Sequence, residues 1–480
     1  MRKFFAKHKN LTRVLLLVLI LCLTETVFEF FLVPRRTDRE ERENAIRINA
    51  ERGLTPDTLL LGNSTASFAL RPEVFDTELH GTDFTLNLSS GLRSLRGMYY
   101  SLLDMTARYD IKTVVISVEY LQVMEQAMSP EAELLVIDEM KDPRSITEDI
   151  RDTFTVEQLP FLLKSFRYRT NMHAAGKIAG EKIAQFSARD SEAGAADKPA
   201  AADKPEATDK PAADKPAAAP KAAGSEKKEA AAPKKVWLDN GKVGFVVNLP
   251  WKADMKMTSY LDRMLDLCRK KGIEVYLVST PLTMTALVNA GDCELAHDVV
   301  QKEADRYGVP YFDMNLIRDR QQKFPNIYMT DSEHLNMDGA KKCTGMLCSA
   351  IHYYRKEKSD GGLLYTGYGE ARAALKGILG VDFDTEPTDD EKDPDARLIR
   401  ADCATAGDTE TEYKYTVQAA GSKSETLLQD YSAKATCPLP GKYSDVDETL
   451  TVYVRKKGDT EPVCFRSKKI NEETWKDDAH

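Results

Sequence analysis

The sequence predicts an α/β protein built on a parallel sheet, followed by a small antiparallel β-sandwich. Three patterns carry that expectation. Short apolar or β-branched runs, Thr58–Leu61, Phe84–Leu88, Thr113–Val118, Glu274–Ser279 and Val309–Asp313, alternate with helical periodicity, as βαβ units around a parallel sheet do. The clearest helix, Met255–Lys271, sets Met257, Tyr260, Leu261, Met264, Leu265 and Cys268 at helical spacing and stops at Gly272, just before a strand; glycine there takes the left-handed backbone that closes a helix. From Ala396 to Ile470 the helical period gives way to Leu398–Cys403, Tyr413–Gln418, Tyr431–Thr436, Thr449–Arg455 and Val463–Lys468, separated by glycine- and aspartate-rich turns, the pattern of a small sandwich.

Further helices are expected from Cys293 to Tyr307, ending at Gly308, and from Asp338 to Tyr354. The α/β domain then occupies 55–186 and 236–375, interrupted by 187–235, where Asp-Lys-Pro recurs at Asp197, Asp203, Asp209 and Asp214 amid alanine and lysine. Nothing there can offset the entropy of ordering, so it reads as a disordered surface loop. The acidic stretch within 376–395 reads as a linker to the module at 396–475.

At 480 residues the chain exceeds one ordinary domain. A net charge of -9, with no basic and aromatic surface, argues against nucleic acid as a partner. Eight cysteines show no CxxC pair, so neither metal nor cofactor is expected. Their scatter suggests buried thiols; an oxidising compartment would permit a bridge among Cys403, Cys437 and Cys464, with no pairing favoured.

The N-terminus predicts a membrane anchor over Val14–Val33, after a tail (1–13) carrying Arg2, Lys3, Lys7, Lys9 and Arg13. At about 1.5 Å per residue such a helix spans roughly 30 Å, the thickness of a bilayer core. A cleaved signal peptide with Val14–Leu23 as its apolar region competes, but Thr24-Glu25-Thr26 offers no small-x-small cleavage site. The basic tail places the N-terminus in the cytoplasm and the body outside the cell membrane, although Arg35, Arg36, Arg39 and Arg42 in the stem (34–54) pull the other way. Glu25 and Glu29 lie one helical turn apart, and carboxylates are costly in lipid. Either the span ends near Leu23 and the helix continues at the interface, or both carboxylates face a polytopic membrane partner.

Two segments carry candidate chemistry. Leu59-Leu60-Leu61-Gly62-Asn63-Ser64 is an apolar strand ending in a turn with serine at its tip, at the strand edge where open α/β sheets bind ligands. A serine capping the next helix would look the same. The second, Thr330-Asp331-Ser332-Glu333-His334-Leu335-Asn336-Met337-Asp338-Gly339, sets a carboxylate and an imidazole three residues apart before a helix. That spacing lets Asp331 hold one imidazole nitrogen while the other faces a nucleophile. His80, His173, His297 and His352 have no matching partner motif.

On these residues the chain resembles the SGNH/GDSL hydrolase superfamily over about 55–350. Gly62-Asn63-Ser64 resembles its first block, Asn87-Leu88-Ser89-Ser90-Gly91 its second, and Asp331-x-x-His334-Leu335-Asn336 its last. The resemblance implies a flavodoxin-like three-layer fold, a triad of Ser64, His334 and Asp331, and an oxyanion hole from the N–H groups of Ser64 and Gly91. The family's third block, Gly-x-Asn-Asp, is replaced by Ile116-Ser117-Val118-Glu119-Tyr120, leaving Asn63 or Ser117 as further donors. A similar departure marks the branch resembling the D-alanyl-teichoic-acid transfer protein and alginate-type O-acetylation proteins. That implies a membrane-anchored acyltransferase or esterase acting on O-acyl groups of a cell-surface glycopolymer, beside a polytopic O-acyltransferase met through Glu25 and Glu29. The alternative is a non-catalytic envelope scaffold or glycan-binding protein that keeps the fold.

Overall fold

The computed structural model describes residues 9–33, 37–79, 84–91, 93–119, 122, 130–183, 234–237, 243–246, 255–289, 293–331, 333–388, 392–407, 409–419, 421–422, 424–443 and 448–470. The chain divides into two compact units.

The smaller unit comprises Met1–Glu43, Ser129–Glu139 and Ile146–Ala230. A helix, Lys9–Leu32, exposes Leu16, Leu17, Leu19, Ile20, Leu21, Leu23, Val27 and Phe31. Toward its end Glu29 pairs with Lys164, and Glu25 accepts from both the N–H and the hydroxyl of Ser165. Asn171 Nδ2 donates to the Leu32 carbonyl at 3.0 Å. The two carboxylates are thus held by a distant part of the same unit. Among the described residues no helix is long and apolar enough to cross a membrane; the anchor expected over Val14–Val33 falls on a helix several of whose side chains lie outside them.

The larger unit comprises Asn44–Met128, Met140–Ser145 and Ala231–His480. Its first part runs β1 (Thr58–Leu61), α1 (Ser64–Ala69), β2 (Thr85–Asn87), α2 (Leu95–Arg108), β3 (Thr113–Ser117), α3 (Met255–Lys271), β4 (Glu274–Ser279), β5 (Tyr311–Asp313) and α4 (Met337–Glu357). The strands form one parallel sheet in the order β2-β1-β3-β4-β5. β1 and β3 are buried along their whole length, as expected where helices cover both faces. Leu60, Val115, Tyr276 and Val278 share a core with Phe75, Leu347 and Ile351. α2 and α3 pack together, with Tyr100 and Tyr260 in ring contact. The three-layer α/β fold is therefore as expected. The insertion at 187–235 lies outside the described residues except Lys234 and Lys235, which open a strand (Lys234–Trp237) paired antiparallel with Val243–Val246.

The C-terminal part is antiparallel: β6 (Gly377–Pro387), β7 (Arg397–Ala406), β8 (Thr411–Gln418), β9 (Glu425–Ser432), β10 (Thr436–Leu439), β11 (Glu448–Lys456) and β12 (Cys464–Ile470). Sheets β9-β8-β11-β12 and β10-β7-β6 share a core of Val381, Phe383, Ile399, Tyr415, Val417, Leu450 and Val452. Two expectations change. The 376–395 stretch is no linker through Pro387: Val381 and Phe383 alternate inward while Asp382 and Asp384 turn outward, so its acidity hid a period-two strand. The run Tyr431–Thr436 spans the turn between β9 and β10. Cys403, Cys437 and Cys464 are not joined in disulfides, nor are Cys268, Cys293, Cys343 and Cys348.

Candidate active site

The turn after β1 is shaped by three residues. A Cβ at Gly62 would lie 2.2 Å from Ala66 Cβ and 3.0 Å from Ser117 Cβ, so only glycine fits. Asn63 caps α1, its Oδ1 accepting from Thr65 N at 3.1 Å and from Thr65 Oγ1 at 2.6 Å. Ser64 is the first residue of that helix. The serine is therefore not the cap, and its hydroxyl is left for other work.

The second segment is a closed loop. Met329 and Leu335 form an antiparallel bridge, and Thr330 N donates to the His334 carbonyl at 2.8 Å. Leu335 is buried, pinning the loop to the core. Asn336 caps α4 by accepting from Gly339 N at 2.9 Å, and its Nδ2 donates to the Ile327 carbonyl at 2.6 Å. A Cβ at Gly339 would come within 2.2 Å of the Tyr328 carbonyl oxygen. Leu-Asn-x-x-Gly thus reads as pin, cap and close approach.

Within the loop Asp331 Oδ1 accepts from Glu333 N and His334 N, each at 2.8 Å. Asp331 Oδ2 meets His334 Nδ1 at 2.8 Å, and His334 Nε2 lies 3.0 Å from Ser64 Oγ. The structure brings the three residues into one chain of hydrogen bonds across 270 positions of sequence. The hydrogen bond that His334 donates to the Asp331 carboxylate raises His334 above its ordinary value of 6.5, against the effect of burial. Burial pushes the Asp331 carboxyl up, but His334 and the two N–H groups outweigh it and hold it below the usual range. The Phe68 ring, 46% exposed, sits 4.9 Å from the imidazole, so the site opens to solvent past an aromatic face.

The expected oxyanion donors are placed unevenly. Leu88 N and Ser90 N donate to the carbonyls of Leu60 and Gly62, laying 88–91 along the nucleophile turn, with Gly91 exposed and open space where its Cβ would be. Asn63 commits its carboxamide oxygen to the cap. Ser117 is fully buried and donates to Glu119 Oε1 at 2.7 Å.

Sequence reasoning missed two groups. Glu119, read only as a missing asparagine, is a buried carboxylate whose Oε1 also accepts from Thr280 N at 3.1 Å and Thr280 Oγ1 at 2.9 Å, tying the ends of β3 and β4 together. Burial pushes it up to about 7 against these hydrogen bonds. An acidic residue two positions beyond the end of a strand built on Val114-Val115-Ile116 was the available signal. His297, passed over for want of a partner motif, meets Asp313 Oδ2 at 2.9 Å, and Tyr368 donates to the same oxygen at 3.2 Å. They line a cavity of about 10 Å³ with Glu119 and Ser279, room for roughly one water. Among the described residues no group of histidine, cysteine and acidic side chains is placed to hold a metal ion.

Glu119 makes stability pH-dependent with a definite sign. A carboxyl whose folded pKa is raised contributes stability fully present below its unfolded value, near 4.5, and lost as pH rises through about 7. Glu119→Gln keeps an acceptor for all three donors and cannot ionise. It is expected to flatten the fall in unfolding free energy between pH 5 and 8, a difference of roughly 3 kcal/mol at the alkaline end. Urea denaturation at the two pH values checks this; parallel wild-type and variant curves would count against it.

No protein-family model matches the chain, and no curated protein matches it. Among solved structures it is similar to a Bacteroides fragilis protein named as a candidate acylhydrolase, at 9% identity and a TM-score of 0.29, covering 65% of this chain and 95% of that one. A likeness this slight carries no argument about activity.

Proposed function

We propose that this chain is a serine-dependent acyl-transfer enzyme of the SGNH type, an ester hydrolase or O-acyltransferase. The observation that carries the reading is the continuous relay Asp331–His334–Ser64, at 2.8 Å and 3.0 Å. Ser64 Oγ attacks the acyl carbonyl as its proton passes to His334 Nε2. The N–H groups of Ser64 and Gly91 take the oxyanion. As the intermediate collapses, His334 returns the proton to the departing alcohol, leaving acyl-Ser64. A water or sugar hydroxyl then attacks, giving its proton to Nε2, and collapse restores the Ser64 hydroxyl. Asp331 keeps Nδ1–H oriented and stabilises the imidazolium.

The substrate class we propose is the O-acyl groups of a cell-surface glycopolymer. Two features support it: an open site suits a polymer-borne ester, and the apolar N-terminal run would hold the body at the outer face of the cell membrane. Glu25 and Glu29 are engaged by Ser165 and Lys164, which leaves the exposed apolar side chains of their helix, among them Leu16, Leu19 and Leu23, as the surface for a polytopic acyltransferase. The test is acylation in the full chain. Incubated with p-nitrophenyl acetate or an acetylated oligosaccharide and acid-quenched, the protein should carry one acetyl group on the peptide containing Ser64. Added acceptor sugars that become acetylated mark a transferase, and free acetate alone an esterase. No Ser64 adduct from any ester or fluorophosphonate would end the enzyme reading.

A further inference from the structure

We propose that Arg466, on β12 of the C-terminal sandwich, is a positioning residue for the Asp331–His334 pair; this rests on the proposed acyl-transfer function. Its guanidinium is buried and reaches the loop that carries the pair: Nη2 donates to the Thr330 carbonyl at 2.8 Å and Nη1 to the Met329 carbonyl at 3.4 Å. The peptide that Thr330 shares with Asp331 launches the carboxylate. Fixing that carbonyl fixes the peptide plane from which Asp331 turns toward His334.

The other bonds of the loop are already assigned. Thr330 N is held by the His334 carbonyl, and Asp331 Oδ1 by two backbone N–H groups. The carbonyls of Met329 and Thr330 need donors from elsewhere, because backbone acceptors facing a protein surface are seldom left unpaired. A planar fork that serves two carbonyls at once is what arginine supplies and lysine does not. From its own sandwich Arg466 has a charge partner without a hydrogen bond: Asp382 Oδ1 lies 3.7 Å from Nε and is itself paired to Lys468 at 3.1 Å. The sandwich thereby supports the triad loop, and the pairing is invisible in sequence because 136 positions separate its ends.

The experiment compares full-length wild type, Arg466→Met and Arg466→Lys in detergent, reading three quantities. These are the rate of Ser64 labelling by a fluorophosphonate across pH, the His334 imidazole titration by NMR, and the melting transition. The groups acting on that titration are Asp331 and Glu333. Arg466→Met should melt cooperatively yet label about tenfold to a hundredfold more slowly, as expected when a reacting group is misplaced by an ångström or so. Its His334 midpoint should move down toward the ordinary value, kcat should fall with KM little changed, and Arg466→Lys should recover part of the rate. Unchanged labelling and an unchanged His334 midpoint in folded Arg466→Met would overturn the proposal. If that variant does not fold, Arg466→Lys decides: a slower rate and a lowered midpoint support the clamp, and wild-type values refute it. Should the wild type itself not label while its His334 midpoint still responds to Arg466, the clamp stands and the acyl-transfer reading falls.

Discussion

Replacing Ser64 by alanine is expected to abolish fluorophosphonate labelling and to cut ester turnover by on the order of 10³–10⁶-fold, with the melting temperature shifted by no more than about 2 °C. The large loss follows because Oγ is the atom that attacks, and no neighbouring group can replace it. Stability should hardly change, because the fold makes little use of this hydroxyl: Asn63 caps α1 through Thr65, and the hydrogen bond of Ser64 Oγ goes to His334. His334→Ala should cost a similar factor, and the double variant little more, since members of a triad act as one unit. The rate that survives would come from binding and from the oxyanion donors. Labelling that persists in folded Ser64→Ala, at another serine, would remove Ser64 from the role.

What the sequence made legible was local. β1 and β4 have the expected ends because each holds a short apolar run, Leu59–Leu61 in one and Val275–Val278 in the other, closed by turn residues, Gly62-Asn63 after the first and Thr280-Pro281 after the second. Asp331 and His334 could be paired from spacing alone, because the loop that joins them is short. Ser64 could be set opposite them by the rule that strand ends of a parallel sheet share one edge. The contacts that escaped notice are made over long separations and obey no period. Glu25 meets Ser165 across 140 positions, Glu119 meets Thr280 across 161, and Arg466 meets Thr330 across 136. β6 was missed for another reason: its outward aspartates dominate the composition, while Val381 and Phe383 carry the strand pattern beneath them. His297 and Asp313 lie on different elements, so neither residue alone suggests a pair.

Asp331→Asn is expected to lower the acylation rate by about 10⁴-fold while moving its rise with pH toward acid. His334 accepts the Ser64 proton only when neutral, so acylation climbs as pH passes the His334 midpoint. In the wild type the hydrogen bond to the Asp331 carboxylate sets that midpoint above 6.5, with burial opposing it. Asparagine removes the charge that favours imidazolium and can hold the wrong tautomer. The plateau therefore drops, and the midpoint falls. Stability should follow the same pair. The contribution of Asp331, whose folded pKa is lowered, is present above its unfolded value near 3.9 and lost as pH falls through the folded one. That of His334, whose folded pKa is raised, is present below about 6.5 and lost as pH rises through the folded one. The two overlap between about pH 4 and 6.5, so the gap between wild type and variant should be widest near pH 5 and narrower at pH 9. The backbone N–H groups of Glu333 and His334 would still find an acceptor in the carboxamide oxygen of the substituted side chain, so the loop itself should persist. Labelling rates from pH 5 to 9, with urea denaturation at both ends, test both parts. A midpoint that stays fixed or moves toward alkali would show that Asp331 does not govern the charge of His334.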